Sequence, residues 1–213
     1  MEAGLFSAAS DRNKQAILDQ LIKLFSGLLP GNLRVLEIGS GWAQHAMYFT
    51  GKMNGLSWQP SERPEALAEL RACLELNGNT SIKPPIALDV LTGPWPENHF
   101  EVVYSANTAH IMSWPAVLSM FSGIGSCLIA GGLFCLYGPF NVDGLFTAPS
   151  NQSFDQHLRT GDPEMGIRDF EALESLACSH QMILRERIQM PANNFLLVFE
   201  KLNTTDVKEE SMS

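Results

Sequence analysis

Over residues 33–137, short β-rich apolar runs alternate with segments of helical period, which restricts the chain to a parallel sheet covered by helices. Leu33-Arg34-Val35-Leu36-Glu37-Ile38 reads as a buried parallel strand closed by Gly39-Ser40-Gly41. Downstream, the pattern predicts a helix over 43–53, a strand over 56–59, a helix over 64–76, a strand over 86–88, a strand over 100–105, a helix over 115–128 and a strand over 132–137. Upstream, Ile17, Leu18, Leu21, Ile22, Phe25 and Leu28 recur at helical spacing, so 12–29 reads as an amphipathic helix stopped by Pro30-Gly31.

The last part breaks the alternation. A helix over 170–179 precedes strand-like runs over 182–189 and 195–200, joined only by Met190-Pro191-Ala192-Asn193-Asn194. So short a link suits an antiparallel hairpin and is too short for a parallel crossover. The expectation is therefore an α/β, Rossmann-like fold: a seven-stranded, mostly parallel sheet with a C-terminal antiparallel hairpin and helices on both faces. A terminal hairpin of this kind separates methyltransferase sheets from those of dinucleotide dehydrogenases. One domain is expected over 1–203, followed by a polar, flexible tail over 204–213. Residues 139–169, rich in Gly, Pro, Asn, Asp and Ser, read as a long loop forming a lid or substrate wall.

A chain of 213 residues with 45% hydrophobic and 17% charged residues can fill one substantial core. Its formal net charge of -9 argues against nucleic acid as a partner, since binding to phosphates draws on Lys and Arg. Cys73, Cys127, Cys135 and Cys178 lie in apolar stretches without paired spacing and read as reduced core residues. No metal site is expected. Residues 1–14 lack a basic start followed by an apolar run, and no apolar run reaches about 18 residues. A cytoplasmic protein with no membrane association is expected.

The strand-end glycines carry the first chemical signal. Gly39 and Gly41 let backbone approach a ligand closely, but Gln44 stands where a dinucleotide fingerprint needs its third glycine. Glu37, at the strand end, suits the cationic methionine part of S-adenosylmethionine better than a pyrophosphate. Glu62, about twenty residues beyond the glycines, is placed to accept hydrogen bonds from ribose hydroxyls. Asp89 and the Val90 N–H, following the third strand, are placed for adenine. Asn107 and His110, following the fourth, are the polar groups nearest to the chemistry, with His110 a candidate general base. In the long loop, Asn151, Phe154, Asp155, Arg159 and Arg168 supply the density of polar groups expected of an acceptor pocket. Arg12 and Asn13 are candidates for closing the opposite side.

The stretches DRNK (11–14), VLEIGSGWAQH (35–45), WQPSE (58–62), LDV (88–90), ANTAHI (106–111), LYGPF (136–140), SNQSFDQHLR (150–159), GIRDFE (166–171) and MPANN (190–194) together resemble the methyltransferase-like family whose animal members are called methyltransferase-like protein 26. The likeness spans nearly the whole chain. It implies a class I methyltransferase fold and S-adenosylmethionine binding. Two positions depart from the family pattern: Trp42 stands where a small residue is usual, and Glu62 where Asp is usual. The reading expects Arg12, Glu37, Gly39, Ser40, Gly41, His45, Glu62, Asp89, Val90 and Asn107 to hold the cofactor. Asn151, Phe154, Arg159, Arg168, Asn193 and Asn194 are expected to hold the acceptor, a small polar molecule. His110, Asp155 and Tyr137 are expected at the chemical step, with His110 or Asp155 taking any proton released. The rivals are an NAD(P)-dependent oxidoreductase and a non-catalytic S-adenosylmethionine-binding module.

Overall fold

The computed structural model describes residues 6–28, 31–96 and 100–203; the tail expected over 204–213 lies outside them. The chain clusters into two compact units, one ending at Asp89 and the other beginning at Val90.

The first unit contains α1 (Ala8–Ser26), β1 (Leu33–Ile38), α2 (Gln44–Thr50), β2 (Leu56–Glu62), α3 (Leu67–Asn77) and β3 (Ile86–Ala87). Its strands are parallel in the order β3-β2-β1, with Ile38 opposite Ser61 and Ser61 opposite Ile86. Helix α1 starts earlier than its hydrophobic period indicates because Ser7 caps it, its Oγ accepting from the Ser10 N–H at 3.2 Å. Its stripe of Ile17, Leu18, Leu21 and Phe25 is buried. Helix α2 begins only at Gln44, since Ala43 takes a left-handed conformation at φ 57°. Strand β2 runs beyond its apolar stretch to Glu62, held by Ser61, whose Oγ donates to the Glu37 carbonyl at 2.6 Å.

The second unit contains β4 (Phe100–Ala106), α4 (Trp114–Cys127), β5 (Leu128–Gly138), β6 (Phe140–Asn141), α5 (Pro149–Gly161), β7 (Arg168–Asp169), α6 (Phe170–Ser179), β8 (Met182–Met190), a 3-10 turn over Pro191–Asn193 and β9 (Asn194–Lys201). Its main strands run in the order β4-β5-β9-β8. β4 and β5 are parallel, β9 is antiparallel to β5, and β9 is antiparallel to β8, as the short link between those two required. β6 and β7 form a small parallel pair. Helix α5 corrects the expectation of one continuous loop over 139–169: thirteen of those residues are helical, with Pro149 in the first turn.

In the middle of α4, a Cβ on Gly123 would lie 1.8 Å from the Trp95 ring. The ring's seat therefore explains a residue that costs helix stability. Phe121, Phe134 and Phe199 form an aromatic cluster with centroids 5.3–5.9 Å apart, each ring fully buried. Cys73, Cys127 and Cys135 are buried free thiols, and burial pushes those of Cys127 and Cys135 up to about 12. Cys178 corrects the expectation of four core cysteines, since α6 leaves it exposed. No helix among the described residues is long and apolar enough to cross a membrane.

Phe121→Ala should cost about 3–5 kcal/mol, because it opens a cavity against two other rings. Leu118→Ala, on the exposed side of the same helix, should stay within about 0.5 kcal/mol. Urea denaturation followed by circular dichroism measures both.

Candidate functional site

The carboxyl ends of β1 and β2 are laced together by side chain and backbone. The Ser40 N–H donates to the Ser61 carbonyl at 2.9 Å, and the Ser61 N–H returns a bond to Ser40 Oγ at 3.1 Å. This lacing holds the turn in which Gly39 and Gly41 have φ 70° and 53°. Beside Gly41, a Cβ would meet nothing within 4 Å, so positive φ and not crowding selects glycine there. The Gly41 N–H donates to Glu62 Oε2 at 2.9 Å, and the Arg63 N–H to Glu62 Oε1 at 2.9 Å. Both oxygens are thereby oriented, and each retains a lone pair.

Glu37 lies beneath this turn, only 3% exposed. The Trp58 indole Nε1–H donates to its Oε2 at 2.9 Å. Burial raises the Glu37 pKa from the usual 4.5 to about 7, outweighing the hydrogen bonds from Trp58 and Ser40, with Glu62 adding a like charge nearby. Asp89 stands just beyond β3, whose approach is set by the Leu88 N–H donating to the Glu62 carbonyl at 2.9 Å.

His45 and Arg12 occupy different settings. His45 is buried on α2, stacked on Phe49 at 5.2 Å, and its Nε2 donates to Asn13 Oδ1 at 2.7 Å. Burial lowers its pKa to about 4, so the ring is neutral. Arg12 is exposed, and the DRNK stretch instead offers Asn13 to His45 and Lys14 to the Tyr48 ring. Gln44 grips the backbone of Ser7 twice, accepting from its N–H and donating to its carbonyl. The side chain that replaces a third glycine thus clamps the start of α1. Spacing alone carried no signal for that clamp.

In the second unit, Asn107 takes φ 59° at the end of β4, its N–H donating to the Tyr137 carbonyl at 2.9 Å. Tyr137 is buried in β5. The segment around His110 is fixed by Arg168, whose guanidinium donates to the carbonyls of Ala109, Met112 and Glu164, and by the Gly166 N–H, which donates to the His110 carbonyl at 2.9 Å. The His110 ring is 6% exposed and meets Phe154 edge-on at 5.2 Å. Burial, with Arg168 nearby, lowers its pKa to about 4. Among the described residues, the buried side-chain atom without a hydrogen-bonding partner is Asn141 Oδ1, on β6.

Asp155 is buried, with Oδ2 accepting from Arg159 Nε at 2.8 Å and Oδ1 from the Ile167 N–H at 2.7 Å. A Cβ on Gly166, at φ 150°, would fall 2.3 Å from Arg159 Nη2 and 2.9 Å from Asp155 Oδ1. Asn151 Nδ2 donates to Thr147 Oγ1 and to the Asn193 carbonyl, while Asn194 Nδ2 donates to the Pro191 carbonyl. Asn193 Nδ2 reaches Ser150 Oγ at 3.4 Å. The structure thus gathers Asn151, Asn193 and Asn194 into a fastening between α5 and the hairpin turn. Phe154 projects from α5, 37% exposed.

Comparison of the whole chain with solved structures places this geometry. The S-adenosylmethionine-dependent methyltransferase SibL, in its apo form, superposes with a TM-score of 0.76 at 21% identity, covering 92% of this chain and 56% of SibL. A sarcosine dimethylglycine methyltransferase assignment attaches to a Galdieria sulphuraria protein with a TM-score of 0.71 at 14% identity, covering 93% and 92%. PigF, solved with SAH, gives a TM-score of 0.70 at 18% identity, covering 89% and 59%. The chain spans little more than half the length of SibL. These likenesses define the fold class: α/β, a seven-stranded mixed sheet with antiparallel C-terminal strands, as in class I methyltransferases. Within that class the chain belongs to the family described as "Protein of unknown function (DUF938)", whose model matches residues 5–201.

Glu37 binds its proton more readily in the fold than in the unfolded chain. Its stabilising contribution is therefore complete below pH 4.5 and is lost as pH rises through 7. The melting-temperature difference between wild type and Glu37→Gln should move against wild type across that window and level off above it. Gly166→Ala should cost about 1–3 kcal/mol from positive φ and collision with Arg159. In an Arg159→Ala background the penalty should shrink, as a double-mutant cycle by urea denaturation would read.

Proposed function

We propose that the chain is an S-adenosylmethionine-dependent methyltransferase acting on a small-molecule acceptor. The observation that carries this reading is the convergence of Glu37, the Gly41 N–H and the oriented Glu62 carboxylate at the carboxyl ends of β1 and β2. Open α/β sheets bind ligands at such ends.

The donor set fits the cofactor. Two hydrogen bonds leave the Glu37 carboxylate with lone pairs to spare, and a buried carboxylate held near pKa 7 gains strongly from a fixed ammonium. Glu62, oriented by two backbone N–H groups, presents its remaining lone pairs to vicinal hydroxyls. Asp89 and the Val90 N–H are assigned to the adenine edge, and Gly39 and Ser40 to the turn that admits the ligand. Bound S-adenosylmethionine supplies a methyl group already activated on a sulfonium. The chain's own task is then alignment and exclusion of water.

On the acceptor side, the neutral His110 ring is assigned to accept a hydrogen bond from an acceptor O–H or N–H, with Phe154 as its apolar neighbour. Asp155 is reassigned from proton acceptor to positioning residue, because its charge is paired with the Arg159 guanidinium and its Oδ1 anchors the Ile167 N–H. Arg168, Asn151, Asn193 and Asn194 likewise position the segments around His110 and the hairpin turn. Resemblance to the methyltransferase-like protein 26 family supports the same reading.

Calorimetry with S-adenosylhomocysteine tests it. Wild type should bind saturably, and Glu62→Ala should bind at least about tenfold more weakly, since hydrogen bonds to a charged group are worth about 1.5–3 kcal/mol. An absence of heat with wild-type protein would overturn the assignment.

A further inference from the structure

We propose that the first unit carries a separate binding site for a small apolar anion, such as an aryl sulfonate or carboxylate, in the cavity between the C-terminal half of α3 and residues 78–85. The cavity measures about 530 Å³, within the range of about 300–1,000 Å³ usual for small-molecule sites. It shares no residue with the set assigned to S-adenosylmethionine.

Leu74 from the helix and Ile82, Pro84 and Pro85 from the facing segment give it apolar walls. Arg71 and Lys83 stand on its lining, opposed by the single acid Glu75. Among the described residues neither cation has an ion pair or hydrogen bond, although Glu75 is one helical turn from Arg71. A chain with a net charge of -9 therefore presents a local excess of positive charge around an apolar hollow. That combination selects a ligand with one anionic head and a hydrocarbon body.

The walls are set before any ligand arrives. The Trp58 N–H donates to the Ser81 carbonyl at 2.8 Å, and the Lys83 N–H donates to the Trp58 carbonyl at 2.7 Å. Gln59 Nε2 holds the Pro84 carbonyl at 2.7 Å. Asn79 donates to Thr50 Oγ1 and accepts from the Ser81 N–H, so its amide anchors the loop. At the helix end the chain turns so tightly that a Cβ on Gly78 would sit 2.5 Å from the Leu74 carbonyl oxygen. A cavity whose backbone is bonded at so many points loses little entropy on filling.

The test titrates the full chain with 1-anilinonaphthalene-8-sulfonate and with its uncharged parent, N-phenyl-1-naphthylamine, following amide resonances. The sulfonate should shift amides within 71–85 saturably. The Arg71→Gln/Lys83→Gln variant should bind it about tenfold more weakly, with its affinity for the uncharged parent unchanged. Leu74→Trp, which fills the hollow, should weaken both probes. Shifts centred elsewhere, an absence of saturable shifts, or equal sulfonate affinity in wild type and the double variant would overturn the proposal.

Discussion

The bond from the Trp58 indole to the Glu37 carboxylate fixes what the first unit can offer a ligand. A carboxylate at 3% exposure is costly unless hydrogen-bonded, and here the indole and Ser40 supply the bonds. Trp58 is itself fully buried and packed edge-on against Phe49, so the acid is held by the core and not by the surface. The paired serines at positions 40 and 61 then align the glycine turn with the end of β2, which brings the Gly41 N–H to Glu62. The proposed cofactor site at this sheet end depends on that chain of bonds.

The second unit spends its polar residues differently. Asp155, Arg159 and Arg168 all lie in the segment expected to form an acceptor pocket, yet their hydrogen bonds are with one another and with backbone. Their effect is to fasten α5 and the 164–168 segment to the turn that bears His110. His110 sits on that turn, nearly buried and edge-on to the Phe154 ring. A buried polar network that is fully satisfied rigidifies its surroundings, which suits a group that must hold one orientation.

Much of the fold was legible because it is written in local periodicity. The run from Leu33 to Ile38, the helix Phe170–Ser179 and the short link before β9 each announce themselves within a few residues. Helix α5 was not legible. Its sequence of Pro, Ser, Asn, Gln and Asp favours turns, and it gains its anchor from contacts twelve or more residues away, such as Asp155 with the Ile167 N–H and Asn151 with the Asn193 carbonyl. The glycine turn and the strand-end acids were visible by position. The bond between Glu37 and Trp58, which spans 21 residues, was not, and neither was the clamp of Gln44 on Ser7 across 37. Strand register and helix docking create such pairs, and neither is encoded in spacing along one segment.

The most direct test of the central claim follows the Trp58 indole N–H and the Gly41 amide by nuclear magnetic resonance while S-adenosylhomocysteine is added. Both signals should move along a common saturation curve, because one donates to Glu37 and the other to Glu62. If both stay in place at ligand concentrations that saturate the protein, the carboxylates they touch do not hold the cofactor, and the account of this sheet end is wrong.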